Sequence, residues 1–165
     1  MRERKTEYYL FAFLLLVIVL GLVGWAFSPL DSEGRPILLL PDVKKVEDYR
    51  KKIGGWAEDL RLLDGQLTTL LSGSGDLLSQ SRDGQKAFET SLRIAKQTDA
   101  EEAPAALAGL RSTAVETSLA YMEASRGVLL WISTPKQENY EAAVILIQAA
   151  REQLAEMEGS TLIAP

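Results

Sequence analysis

A chain of 165 residues with 47% apolar residues, 18 Lys and Arg against 23 Asp and Glu, and neither His nor Cys is already bounded by those counts. Without imidazole or thiolate the usual zinc, copper and haem sites lose their ligands and hydrolase triads lose their base, so no metal, cofactor or catalytic residue is expected. The acidic balance and the lack of a basic stripe interleaved with aromatics argue against nucleic acid as a partner. Ser-Lys dyads and carboxylate pairs remain open, but no spacing singles one out.

Residues 1–7 carry Arg2, Arg4 and Lys5, and from Tyr8 to Leu30 the chain is uncharged. The core of that run, residues 8–27, matches the roughly 20 residues a helix needs to cross a hydrocarbon layer of about 30 Å. Tyr8, Tyr9 and Trp25 stand where interfacial aromatics belong, so a single transmembrane signal-anchor is expected. The alternative is a cleaved secretory signal with Gly24 and Ala26 at the cut, but signal cores are about 7 to 15 residues long. Lipoprotein processing needs a cysteine, and there is none.

Three cations precede the run and only Arg35 follows it closely, which places the N-terminal tail in the cytoplasm and the remainder outside the cell membrane. Lys44, Lys45, Arg50, Lys51 and Lys52 lie a little further on and count the other way, as a juxtamembrane cluster would. Residues 28–41 read as a linker, with Pro29, Pro36 and Pro41 blocking regular structure and reaching at most about 46 to 50 Å. Within it, Ile37, Leu38, Leu39 and Leu40 suit either the end of the following domain or a lipid or partner surface.

After Leu30 the chain holds 15 Lys and Arg against 21 Asp and Glu and is long enough for one domain. From Asp42 the period becomes helical: Val46, Tyr49, Ile53, Trp56, Leu60, Leu63, Leu67 and Leu70 recur at 3,4 spacing and predict a helix over 42–71. Ser72, Gly73, Ser74 and Gly75 then predict a break, with Asp76 capping a second helix over 76–97. The competing reading is one helix through 97 with a seam of Ser74, Ser81, Gly84 and Ser91. The echo of Asp64-Gly65-Gln66 in Asp83-Gly84-Gln85 has unrelated flanks and implies no repeat.

Asp99 and Glu102 are spaced as a capping box and predict a third helix over 102–132, with Leu107, Leu110, Ala114, Tyr121, Val128 and Trp131 on one face. No Asp-rich loop of calcium-binding spacing occurs there. Thr134, Pro135 and Gln137 predict the start of a fourth helix over 135–158. So short a joint makes the two antiparallel neighbours, with Val128 against Tyr140, Tyr121 against Ile147 and Ala114 against Leu154. Gly159 would cap the end in the left-handed region, and 160–165 form a tail.

The fold class expected is therefore all-α: one transmembrane helix and an up-down-up-down bundle of four helices over 42–159. The function expected is that of a non-enzymatic accessory or scaffold subunit, bound to the bilayer and to a protein partner or a second copy. Its basic cluster, Lys44, Lys45, Arg50, Lys51 and Lys52, would meet lipid headgroups or an acidic partner. A second reading is a small-molecule binding bundle in which Tyr49, Trp56, Tyr121, Trp131 and Tyr140 line a pocket, where otherwise they fill the core. A membrane-bound enzyme comes last.

Overall fold

The structure is a computed structural model and describes residues 13–20, 41–73 and 75–160. The expected tail 1–7, most of the expected span, the linker up to residue 40 and the tail 161–165 lie outside those residues. The chain divides into two units, Met1–Pro41 and Asp42–Pro165. In the first, residues 13–20 are helical and every side chain from Phe13 to Leu20 is exposed, by 46% to 68%. No helix among the described residues is long and apolar enough to cross a membrane.

Among the described residues the second unit is all-α, a bundle of four long helices with no strand. Helix α1 spans Pro41–Leu71, α2 Leu77–Ala100, α3 Ala108–Ser133 and α4 Gln137–Gly159, with a single 3-10 turn at Ala105–Leu107 ahead of α3. The predicted stripe of α1 is buried from Tyr49 to Leu70, and Val46 packs at its edge. Burial of each such side chain contributes about 1.5 to 3 kcal/mol, which outweighs the poor propensity of Gly54, Gly55 and Gly65 in the same helix.

The break after α1 is real, and glycine makes it possible. Gly73 has φ 68° and Gly75 φ 119°, both in the left-handed region that side chains other than glycine avoid. Gln80 donates its side-chain amide to the carbonyls of Gly73 and Gly75 at 3.1 and 3.0 Å, which locks the turn. Asp76 caps α2, accepting from the backbone N–H groups of Leu78 and Ser79 at 2.9 Å each. Those bonds, Ser79 first, favour the carboxylate and hold its pKa below the usual value.

Helix separations follow side-chain size. The pairs α2–α3 and α3–α4 approach backbone to backbone, because Gly84, Ala87 and Ser91 on α2, Ala114, Ser118 and Ala124 on α3, and Ala143 and Ala150 on α4 are buried and small. A Cβ placed on Gly127 would lie 2.8 Å from Leu146 Cδ1 and 3.5 Å from the Ala143 Cα. The buried hydroxyls of Thr117, Ser118 and Ser125 are paired, donating to the carbonyls of Thr113, Ala114 and Tyr121 at 2.7 to 2.8 Å. Helix α1 stands further off, on Ile53, Trp56, Leu60, Leu63 and Leu67.

Successive helices run in opposite directions, as the cross-helix ion pairs show. Asp59 and Lys52 of α1 meet Arg93 and Glu101 of α2, whereas Arg61 and Asp64 meet Glu158 and Arg151 of α4. The far end of the bundle holds the α1–α2 and α3–α4 turns. The near end holds the start of α1 and the link from α2 to α3.

Four helix ends differ from expectation. Helix α2 runs through Ala100, so Asp99 sits in its last turn and does not cap α3, which begins only at Ala108. Arg111 explains the shift, donating to the carbonyls of Glu101 and Asp99 at 3.0 and 2.7 Å and so satisfying the end of α2. Helix α4 starts at Gln137 behind Lys136, with Thr134 and Pro135 in the connector and Asn139 donating to the Thr134 carbonyl at 2.7 Å. Gly159 ends α4 as a helical residue with no positive φ.

Across α3–α4, Thr117 donates to the carbonyl of Gln153 at 3.4 Å, and Gly127 faces Ala143 and Leu146. Trp131 is only half-buried, because Ile132 takes the inward position at the end of α3.

Candidate functional site

The five aromatics do not gather round one pocket. Tyr49 and Trp56 meet edge to face at 6.3 Å near the start of α1, and Trp131 and Tyr140 do so at 5.5 Å at the opposite end. Tyr121 lies between, fully buried, and its hydroxyl donates to Asp64 Oδ1 at 3.4 Å. The first pair and Tyr121 belong to the core.

The basic cluster divides along helical geometry. Residues seven apart share a face, so Lys45 and Lys52 go together and Lys44 and Lys51 form a second pair. Lys45 pairs with Asp42 at 3.5 Å and Lys52 with Glu101 at the end of α2. Lys44 and Lys51 are exposed and have no carboxylate within reach among the described residues. Arg50 is half-buried, and its Nε has no hydrogen-bond partner.

One cluster escaped the sequence reading. Arg151 of α4 grips Asp64 of α1 with both arms, Nε to Oδ1 at 2.8 Å and Nη2 to Oδ2 at 3.0 Å, and also donates to Thr68 Oγ1 at 2.7 Å. With Tyr121 from α3, three helices meet on one carboxylate. The signal was legible after the fact: Asp64 lies four residues after Leu60 and three before Leu67, on the inward side of the stripe. Bidentate charge-assisted bonds are the strong kind, and here they hold α1, the helix that stands off, to its neighbours.

Burial pushes the Tyr121 phenol up, and the charge of Asp64 and the hydrogen bond to it push it further. The hydrogen bonds that Arg151 donates to Asp64 raise the Arg151 guanidinium as well. A raised phenol pKa means that folding favours the neutral form, so its contribution is complete below the unfolded value of about 10 and is lost as pH rises above it. Melting temperature is therefore expected to fall steeply above about pH 10, and Tyr121→Phe should flatten that limb. Tyr49, also raised by burial, leaves a residual slope. An unchanged alkaline limb in Tyr121→Phe would contradict the neutral buried phenol.

Beside this locked centre, the space between α1 and α2 opens as a groove of about 1110 Å³. Leu62, Gly65, Thr69 and Leu70 form one wall, and Lys86 and Arg93 stand on the other. Leu62 is 59% exposed, an apolar side chain at the lip of a charged groove. Among the described residues no group of three or more carboxylates could hold a metal ion.

The chain matches no protein family model, no curated protein and no solved structure.

Proposed function

We propose that this chain is a non-enzymatic, membrane-anchored accessory subunit: a span over residues 8–27 with its N-terminus in the cytoplasm tethers a four-helix bundle outside the cell membrane, and the bundle binds a protein partner or a second copy. The observation that carries the reading is the helical run Phe13–Leu20, apolar on every side and exposed on every side. A helix apolar all round is stable only inside a protein core or a bilayer. Arg2, Arg4 and Lys5 ahead of it favour insertion with the tail inside.

The bundle supports the interaction half of the proposal by what its polar groups are doing. Asp64, Arg151 and Tyr121 are spent on one another, and the aromatics are spent on packing in separate places. The α1–α2 groove, with Leu62 at its lip, is a surface that remains to be covered.

Affinity purification of the full chain in mild detergent tests this directly. A stoichiometric partner, or a dimer of the chain, is expected, and Leu62→Glu should abolish it while leaving the melting temperature within about 0.5 kcal/mol equivalent of the original, as for other exposed positions. A chain that purifies as a monomer without a partner would contradict the reading.

A further inference from the structure

Helices α1 and α2 keep one inward phase across the turn that separates them. Counting by sevens from the buried Tyr49, Trp56, Leu63 and Leu70 on α1 and Gly84, Ser91 and Thr98 on α2 are buried too. The exception is Leu77, the first residue of α2, which is 69% exposed beside Leu78 at 72%. A hairpin has no need of a common phase, because its two helices run in opposite directions. A continuous helix does need one, since seven residues return the chain to the same face with a drift of only about 20°. Straightened from Pro41 to Ala100, the chain would carry Leu77 on the face that Leu70 and Gly84 share.

What prevents that helix is the turn itself. Gly73 and Gly75 take the positive φ that the closed turn requires, and glycine in a helix interior is disfavoured more than any residue but proline. Helix α1 is seated through large side chains and ion pairs and stands off from the close-packed backbones of α2, α3 and α4, so it can leave and reseat without disturbing their seams. The ion pairs Lys52–Glu101 and Asp59–Arg93 set the α1–α2 register with its midpoint near residue 76. Two straightened copies laid antiparallel in that register remake both pairs between chains, and their Leu77 side chains meet at the crossing point.

We propose that the turn between α1 and α2 is a hinge, and that two copies of this chain associate by exchanging α1, each α1 seating its stripe on α2, α3 and α4 of the other copy. The exchanged pair reuses the contacts of the closed bundle and adds the crossing of the two hinges, where Leu77 and Leu78 become covered. Gly73 and Gly75 keep the closed form in the majority. The exchange uses the bundle alone and is distinct from association through the α1–α2 groove, so it rests neither on the span nor on Leu62.

The test uses the full chain in mild detergent in a Leu62→Glu background, which removes association through the groove. One preparation carries Arg61→Cys and the other Glu158→Cys, positions that meet across α1 and α4. The chain has no other cysteine, so after mixing, a short bismaleimide joins one preparation to the other when α1 of one chain lies on α4 of the other. With the original turn a minor linked product is expected, rising with chain concentration. Gly73→Ala with Gly75→Ala strains the closed turn and favours the helix, and should raise the linked fraction at least tenfold at the same concentration. Leu77→Glu should leave the melting temperature of the closed chain unchanged, because Leu77 is exposed there, and should reverse that rise, because two glutamates would meet at the crossing. Lengthening the original turn by Gly-Ser-Gly-Ser relaxes the closed form and should abolish the minor product. A folded double-alanine chain without linked product, linked product insensitive to Leu77→Glu, or linked product that survives the longer turn would overturn the proposal.

Discussion

Leu60→Ala is expected to destabilise the bundle by about 2 to 5 kcal/mol, toward the upper end of that range. Leu60 has no exposed surface and sits in the middle of the α1 stripe, between Trp56 and Leu63. Truncation removes the transfer energy of the lost carbons and leaves a cavity, and the cavity term depends on how far the surroundings can collapse. Here they cannot collapse easily. Helix α1 is held away from its neighbours by large side chains, and the Asp64–Arg151 pair one turn later pins its position.

A loss of that size lowers the melting temperature of a domain this long by roughly 10 °C or more. Ile145→Ala is the matched control, since Ile145 is 67% exposed, and its effect should stay within about 0.5 kcal/mol. Equal melting temperatures for the two variants would mean that the α1 stripe is not a core. Thermal melts followed by circular dichroism read both.

That stripe was the most legible part of the fold, because large apolar residues at 3,4 spacing have one stable use in a soluble domain, the inward face of a helix. The turn after Leu71 was legible for a similar reason. Two glycines with positive φ and an aspartate N-cap are local chemistry, written in adjacent residues. Helix α3 was harder. Its start was misread because the capping-box spacing of Asp99 and Glu102 is a local signal, whereas the bond that decides the matter comes from Arg111, more than two turns of chain away.

The start of α4 was misread at one short connector. Thr134 and Pro135 have the composition of a helix start, yet Asn139 binds back to the Thr134 carbonyl and the helix begins two residues later. The candidate site shows the same division between local and long-range chemistry. Lys52 was read as part of a basic cluster, but its carboxylate partner Glu101 comes from the far end of α2. Asp64 and Arg151 are 87 residues apart, and no spacing in the sequence announces their contact.

The second large effect concerns the proposed span over residues 8–27. Leu16→Arg combined with Val19→Arg is expected to release the chain from the membrane. Each arginine near the centre of a span costs about 2.5 to 3.5 kcal/mol on insertion, so two together cost roughly 5 to 7 kcal/mol, a shift of more than a thousandfold in the partition. The bundle over Asp42–Pro165 is a separate unit and should keep its melting temperature. Leu16→Val with Val19→Leu, which conserves apolar character, should leave the chain in the membrane. Retention of the double-arginine chain would show that binding to the membrane does not run through residues 8–27.

Alkaline carbonate extraction of membranes from cells making the full chain tests the central claim most directly, because it strips peripheral proteins and leaves those that span the bilayer. The expected result is that the chain stays with the membrane pellet at its full, uncleaved mass. A chain found in the supernatant, or one shortened by removal of the residues up to Ala26, would contradict it.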